Sequence, residues 1–309
     1  MMKQSTLPVR DEYELYTEIK ELFHAGAQRL HRNHYRPKIY TDLQRVALLV
    51  LRVRTGYSYE RFCTEYLPES KWPQWLGLRE LPSAASVWRW TNRFDMNFLR
   101  ELNNELLASE QPTTMAIDGT GLDADYKSAH YAHRIRATMK KGPKLDIIVD
   151  TDTLLIHDWS LLMRPRHDAH IAKSLLRRLR YTSIMVFGDK GYDSEELYQI
   201  CHKKKMRFWA PLRNSTYENT PPKKLSWHKK QSHKKPLPTT YNRRSIVESA
   251  IRSLKNKVRA LRARIHYMKK RELAWHILAR NIEIKISLLL HYIQMLVRFA
   301  HHPSFTYLK

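Results

Sequence analysis

The sequence predicts an α/β domain preceded by a helical domain, on three observations. Residues 1–110 carry apolar side chains at helical spacing, divided by short turns. From Pro112 the texture changes to short runs rich in Ile and Val, separated by polar turns and helical stretches. With 42% hydrophobic residues among 309, the chain has apolar surface for about two domains. Strands alternating with helices imply a sheet that is at least partly parallel and buried.

In the helical part, Thr41 and Gln44 form a capping-box pattern ahead of the apolar run from Val46 to Val53, which stops before Gly56. A second helix is expected near Tyr59 to Tyr66. A third follows Pro82, with Ser83 as its cap and Trp88, Arg89, Trp90 and Arg93 along it to Phe94. Such a helix fits DNA reading by a helix-turn-helix; it also fits a small bundle whose tryptophans are core. Strands are expected from Thr114 to Asp118, Leu145 to Val149, Leu154 to Met163, Ser183 to Phe187 and Arg207 to Pro211. Helices are expected from about Ala169 to Arg180 and from Ser194 to Lys204. Residues 214–240 mix Pro221, Pro222, Pro236 and Pro238 with three Lys-Lys pairs, which reads as a mobile basic loop, either a solvated linker or a grip on DNA. From Tyr241 the pattern is helical again to about Ala300. The organisation expected is therefore 1–110, a helical domain for binding DNA ends; 111–270, a catalytic domain with basic loop 214–240; and 271–309, a helix for core or dimer contact. Within that helix the uncharged window from Ile286 to Val297 is 12 residues, short of the roughly 18 of a membrane span.

Charge points to the partner. Lys and Arg outnumber Asp and Glu by 55 to 30, a net +25. Between Lys203 and Lys270 stand 21 Lys and Arg against only Glu218 and Glu248. A polyanion is the natural partner, and nucleic acid is the commonest one. Two cysteines, Cys63 and Cys201, exclude a disulfide scaffold and a Cys-based zinc finger and fit a reducing compartment. No Gly-rich phosphate loop occurs. The first residues lack the apolar core of a signal peptide, so a soluble cytoplasmic protein without membrane contact is expected.

Glycine is scarce, 8 in all, and half of it (Gly119, Gly121, Gly188 and Gly191) flanks two aspartates. Asp118 and Asp189 each end an apolar strand, and the carboxyl ends of buried strands are where sites form in α/β sheets. The third acid is Glu248. At about 100° per residue, Tyr241, Arg244 and Lys255 fall within about 40° of it on one helix face. Arg252, Arg259 and Arg262 extend that stripe, while Leu254, Val258, Leu261 and Ile265 lie to one side. Ser245 with Glu248 also reads as a capping box. Two or three hard carboxylates in a basic surface suit phosphodiester chemistry, in which two Mg²⁺ ions about 3.5–4 Å apart activate an oxygen nucleophile and neutralise phosphorus. Surrounding Lys and Arg hold the backbone phosphates.

These residues resemble the DDE transposases of prokaryotic insertion sequences, in the group with a Tyr-x2-Arg-x3-Glu-x6-Lys signature. Tyr241, Arg244, Glu248 and Lys255 fit it at every position; Ile117-Asp-Gly-Thr120 and Asp189-Lys-Gly-Tyr-Asp193 look like the first and second acidic motifs. The resemblance covers about Met115 to Lys255. It implies an RNase H-like catalytic domain, a mixed sheet flanked by helices with the two aspartates on adjacent strands and the glutamate on a later helix. Asp118, Asp189 and Glu248 are then the catalytic residues and metal ligands, for two Mg²⁺ with Mn²⁺ as a substitute. Tyr241, Arg244 and Lys255 hold the element end, with Arg252 and Arg259 as further DNA contacts. The expected partner is double-stranded DNA, both element ends and target, bound by a homodimer in the nucleoid. Rival readings are an RNase H-like nuclease without strand transfer and a non-catalytic DNA-binding regulator or relic. Of the remaining acids, Asp168 reads as a helix N-cap and Asp123, Asp125 and Asp193 as turn or cap residues. His157, His167 and His170 lack zinc-site spacing.

Overall fold

The computed structural model describes residues 9–27, 39–122, 143–163, 167–212, 226–233, 239–258 and 261–300. They fall into two units: residues 1–106 with 274–309, and residues 107–273.

The first unit is helical: α1 (Val9–Ala27), α2 (Asp42–Thr55), α3 (Tyr59–Arg61), α4 (Leu67–Glu69), α5 (Trp72–Trp75), α6 (Ala84–Arg93) and α7 (Met96–Leu106). The expected capping box opens α2: Gln44 N–H donates to Thr41 Oγ1 at 3.2 Å, and Thr41 N–H to Gln44 Oε1 at 2.7 Å. Gly56 closes it in the left-handed region at φ 69°. The helix expected near Tyr59 to Tyr66 runs through α3 into a π-helical turn, Phe62–Tyr66, before α4. Helix α6 settles the two tryptophans differently. Trp90 is core, its ring 4.9 Å from that of Tyr40, whereas Trp88 is 51% exposed beside exposed Arg89.

The second unit holds a five-stranded sheet in the order β3-β2-β1-β4-β5. Its strands are β1 (Thr114–Gly121), β2 (Lys144–Asp150), β3 (Ile156–Leu162), β4 (Met185–Phe187) and β5 (Arg207–Trp209). The first three form an antiparallel meander, and β4 and β5 add in parallel to β1. An antiparallel meander joined at β1 to a parallel pair is the mixed sheet of an RNase H-like domain. The strand expected from Leu154 starts later, at Ile156, because Leu154 takes a positive φ of 65° in the β2–β3 turn.

Helices α8 (Asp168–Arg178) and α9 (Glu195–Lys203) bury Leu175, Leu176, Leu197 and Tyr198 with Met115, Ile117 and Ile148 of the sheet. The pleat turns alternate residues to opposite faces, so Asp118 shares its face with Ala116, away from that core. Helix α11 (Ile246–Val258) packs on β1 and β2 through Val247, Ala250, Ile251 and Leu254.

Two sequence expectations change here. Within the stretch read as loop 214–240, residues 227–233 form α10 (Trp227–His233); the other described residues of that stretch are Ser226, Thr239 and Thr240. Local composition predicts a loop, but Lys229 is buried with its Nζ 2.8 Å from Asp193 Oδ1, and His228 Nδ1 lies 2.7 Å from Glu195 Oε1. Those partners lie far back in the chain, so tertiary contacts make the helix. The basic stripe is also shorter than expected. Helix α11 ends at Val258, which leaves Arg262 and Leu261 beyond it, and Arg259 lies outside the described residues. The last helix, α12 (His266–Ala300), contains the expected C-terminal apolar tract. Among the described residues no helix is long and apolar enough to cross a membrane.

Candidate active site

Asp118 lies in β1, with 18% of its side chain exposed, and accepts from the Gly119 N–H at 2.8 Å. Asp189 follows β4 and caps a 3-10 turn, Lys190–Tyr192, by accepting from the Gly191 N–H at 2.7 Å. Because β1 and β4 are parallel neighbours, both carboxylates leave the same end of the sheet. Glu248 sits in the first turn of α11, exposed, where Arg244 Nη2 reaches it at 3.0 Å. The other terminal nitrogen, Nη1, lies 4.0 Å from Asp118 Oδ2. Arg244 therefore spans two of the three acids.

Tyr241 and Arg244 occupy a 3-10 segment, Thr239–Ser245, ahead of α11 and not an extension of it. The Ser245 hydroxyl donates to the Asn242 carbonyl at 2.9 Å, an ST-type local bond in place of the capping box with Glu248. Tyr241 donates to the Gly188 carbonyl at 3.5 Å and stacks edge-on against Trp209 at 4.6 Å and Phe187 at 5.4 Å. Its hydroxyl pKa is raised, chiefly by burial. Lys255 is half-buried and Arg252 exposed on α11. The structure thus brings Asp118, Asp189, Glu248, Arg244 and Tyr241 together and sets Lys255 and Arg252 farther along the same helix; Arg259, Asp123 and Asp125 lie outside the described residues.

Burial raises the carboxyl pKa of Asp118, and the nearby Asp189 and Glu248 carboxylates raise it further; the Gly119 N–H and Arg244 oppose them. Among the described residues no three acidic, His or Cys side chains already converge as a metal cage. The donor set nonetheless fits a hard divalent cation: carboxylate oxygens only, with negative charge crowded on a half-buried floor that a cation would relieve.

Three further acids outside the sequence-based site belong to the elements that carry it or pack beside them. Asp146, opposite Gly119 in the β1–β2 register, has no solvent exposure. Its Oδ1 accepts from the Tyr192 hydroxyl at 3.2 Å, and burial pushes its carboxyl up to about 6. Asp168, expected as an N-cap, is the first helical residue of α8 behind the cap His167, and it pairs with Lys144. Asp193, expected at a turn, is buried against Lys229. The signal for Asp146 was a lone acid inside the apolar run from Leu145 to Val149. Of the three histidines, His157 is buried against Tyr181, with Nδ1 2.9 Å from its hydroxyl, and is pushed down to about 3.

Asp146 sets a pH dependence with a definite sign. Its folded pKa of about 6 lies above the ordinary value of about 3.9, so its contribution is full below pH 4 and is lost as pH rises through 6. Relative to Asp146→Asn, wild-type protein should gain about 2 kcal/mol of unfolding free energy between pH 7 and pH 4. Urea melts of both proteins across that range check this; parallel curves would count against it.

A family model described as a transposase DDE domain matches residues 109–282, more than half of the chain. No curated protein matches. Among solved structures, a piggyBac transposase synaptic complex with hairpin DNA is 11% identical, covering 89% of this chain and 72% of that one, with a TM-score of 0.42. A simian T-cell lymphotropic virus intasome bound to a PP2A regulatory subunit is 16% identical, covering 55% and 58%, with a TM-score of 0.23.

Proposed function

The chain belongs to the transposase DDE domain family, and from that premise we propose that it moves a prokaryotic insertion sequence. It would bind the terminal inverted repeats as a homodimer, cut at the element ends and join each freed 3′-OH to target DNA. The joining is an in-line transesterification: the 3′ oxygen bonds to a target phosphorus as that phosphorus releases its own 3′ oxygen, with no covalent protein–DNA intermediate.

The observation that carries this reading is the gathering of Asp118, Asp189 and Glu248, with Arg244 between Asp118 and Glu248, in a strongly basic chain. Asp118 and Asp189 would hold divalent ions from below, and Glu248, on the exposed helix α11, would complete the set after exchanging its bond to Arg244. Two Mg²⁺, or Mn²⁺ in their place, would supply an activated oxygen nucleophile and charge neutralisation at phosphorus. Released from Glu248, Arg244 would be left to grip a phosphate in bidentate fashion. Tyr241, fixed against Trp209, would set the position of the DNA end, with Lys255, Arg252 and Arg259 along the backbone. Helix α6, with Trp88 and Arg89 exposed, would serve the helical unit in end binding.

End-labelled DNA from either side of the encoding gene tests the reading. Wild-type protein with Mg²⁺ should cut at a fixed position near a repeat. Glu248→Gln should lower that cutting at least about 100-fold, as expected when an acid that holds a catalytic metal is neutralised. Equal cutting by the variant would remove Glu248 from the site. Scattered cuts without joined products would favour a nuclease, and binding without cutting would favour a regulator.

A further inference from the structure

Asp146 is a carboxylate without exposure in the middle of an apolar strand, and none of the chemistry above uses it. Such a group is unfavourable in the interior unless a partner holds it. Oδ2 is buried with no hydrogen-bond partner among the described residues; the charge of Lys144 favours the ionised form, and the Tyr192 hydroxyl on Oδ1 is the hydrogen bond that fixes the side chain. The two ends of this bond sit at the two acidic motifs. Asp146 faces Gly119, the neighbour of Asp118; Tyr192 ends the 3-10 turn that Asp189 caps. Each motif has a glycine where the bond needs room. A Cβ on Gly119 would stand 2.6 Å from Asp146 Oδ1, and one on Gly188 would stand 2.8 Å from the Cβ of Tyr192. Register and pleat turn Asp146 to the face opposite Asp118, where Tyr192 lies in the core. The bond is therefore a tie under the floor of the site, not a part of its ligand set.

We propose that the Tyr192–Asp146 hydrogen bond is a positioning brace, which holds the stretch of β1 bearing Asp118 and the turn bearing Asp189 at the separation that the divalent ions require. The inference rests on the metal-site reading given above. Outer partners of this kind set metal affinity by fixing the ligands. Tyr192→Phe removes only the hydroxyl and keeps the buried ring. In the full chain without DNA, it should weaken Mn²⁺ binding, followed by electron paramagnetic resonance, about tenfold. The Mg²⁺ needed for half-maximal end cleavage should rise by a similar factor, while DNA binding in EDTA stays unchanged. Asp146→Asn keeps an oxygen for the Tyr192 hydroxyl and should bind Mn²⁺ nearly as the wild type does. Unchanged Mn²⁺ affinity in folded Tyr192→Phe overturns the brace. So does an Asp146→Asn loss as complete as that of Glu248→Gln, which would make Asp146 a ligand. Glu248→Gln in the same titration separates the two levels: wild-type binding there removes the metal-site reading itself, whereas loss there with no change in Tyr192→Phe removes only the brace.

Discussion

Replacing Asp118 by Asn is expected to lower metal-dependent DNA cutting by about three orders of magnitude while leaving the protein about 1 kcal/mol more stable. The two effects share one cause. Asp118 is held mostly out of water near two other carboxylates, and both burial and their charge oppose its ionised form. A neutral amide escapes that repulsion and still accepts from the Gly119 N–H through its oxygen. What it gives up is the negative oxygen that a hard cation needs. Arg244, at 4.0 Å, is too distant for its loss to reverse the sign. Cutting on a denaturing gel and urea melts in EDTA check both halves. An Asn variant that cuts normally, or one that is several kcal/mol less stable, would show that Asp118 is a structural residue.

The second large effect lies away from the chemistry. Lys229→Met should destabilise the protein by about 3 kcal/mol, because Asp193 would keep its charge in the interior without the ammonium. The two side chains are 8% and 1% exposed and 2.8 Å apart. The value is taken at the low end because the Tyr198 hydroxyl also supports Asp193. Combining Lys229→Met with Asp193→Asn should recover most of the loss, since the double variant buries no lone charge. Urea unfolding of the single and double variants measures it; a single-variant loss under about 1 kcal/mol would mean that water reaches the pair.

Much of the candidate site was legible in the sequence because its residues fall in local motifs. An acid after an apolar run beside glycine is visible from neighbours alone, and so are both aspartate motifs and the spacing from Tyr241 to Lys255, although β1 runs past Asp118 to Gly121. Strand types followed from apolar runs, and α2 from its cap. What stayed hidden depends on contacts between distant residues. Helix α10 lies in a Lys-rich stretch with no helical period, and Asp193 and Glu195 hold it in place. Asp146 looked like a stray acid in a strand until the register placed it against Gly119. The 3-10 path of Thr239–Ser245 follows from seating Tyr241 against Trp209, which a uniform helical projection does not represent.

The helical unit is assembled from both sides of the catalytic one: residues 1–106 are joined by residues from Ala274 onward. The join is specific. Asn281 donates to Asn103 Oδ1 at 2.9 Å, Lys285 Nζ to the Leu106 carbonyl at 2.9 Å, and Glu283 lies 3.3 Å from Arg54. On the ribosome these partners emerge in the wrong order for early completion. The contiguous stretch from 107 to 273 leaves the exit tunnel while the helices made first still lack their final strut. In the nascent chain the whole stretch from 107 to 273 is therefore made before the residues that complete the helical unit.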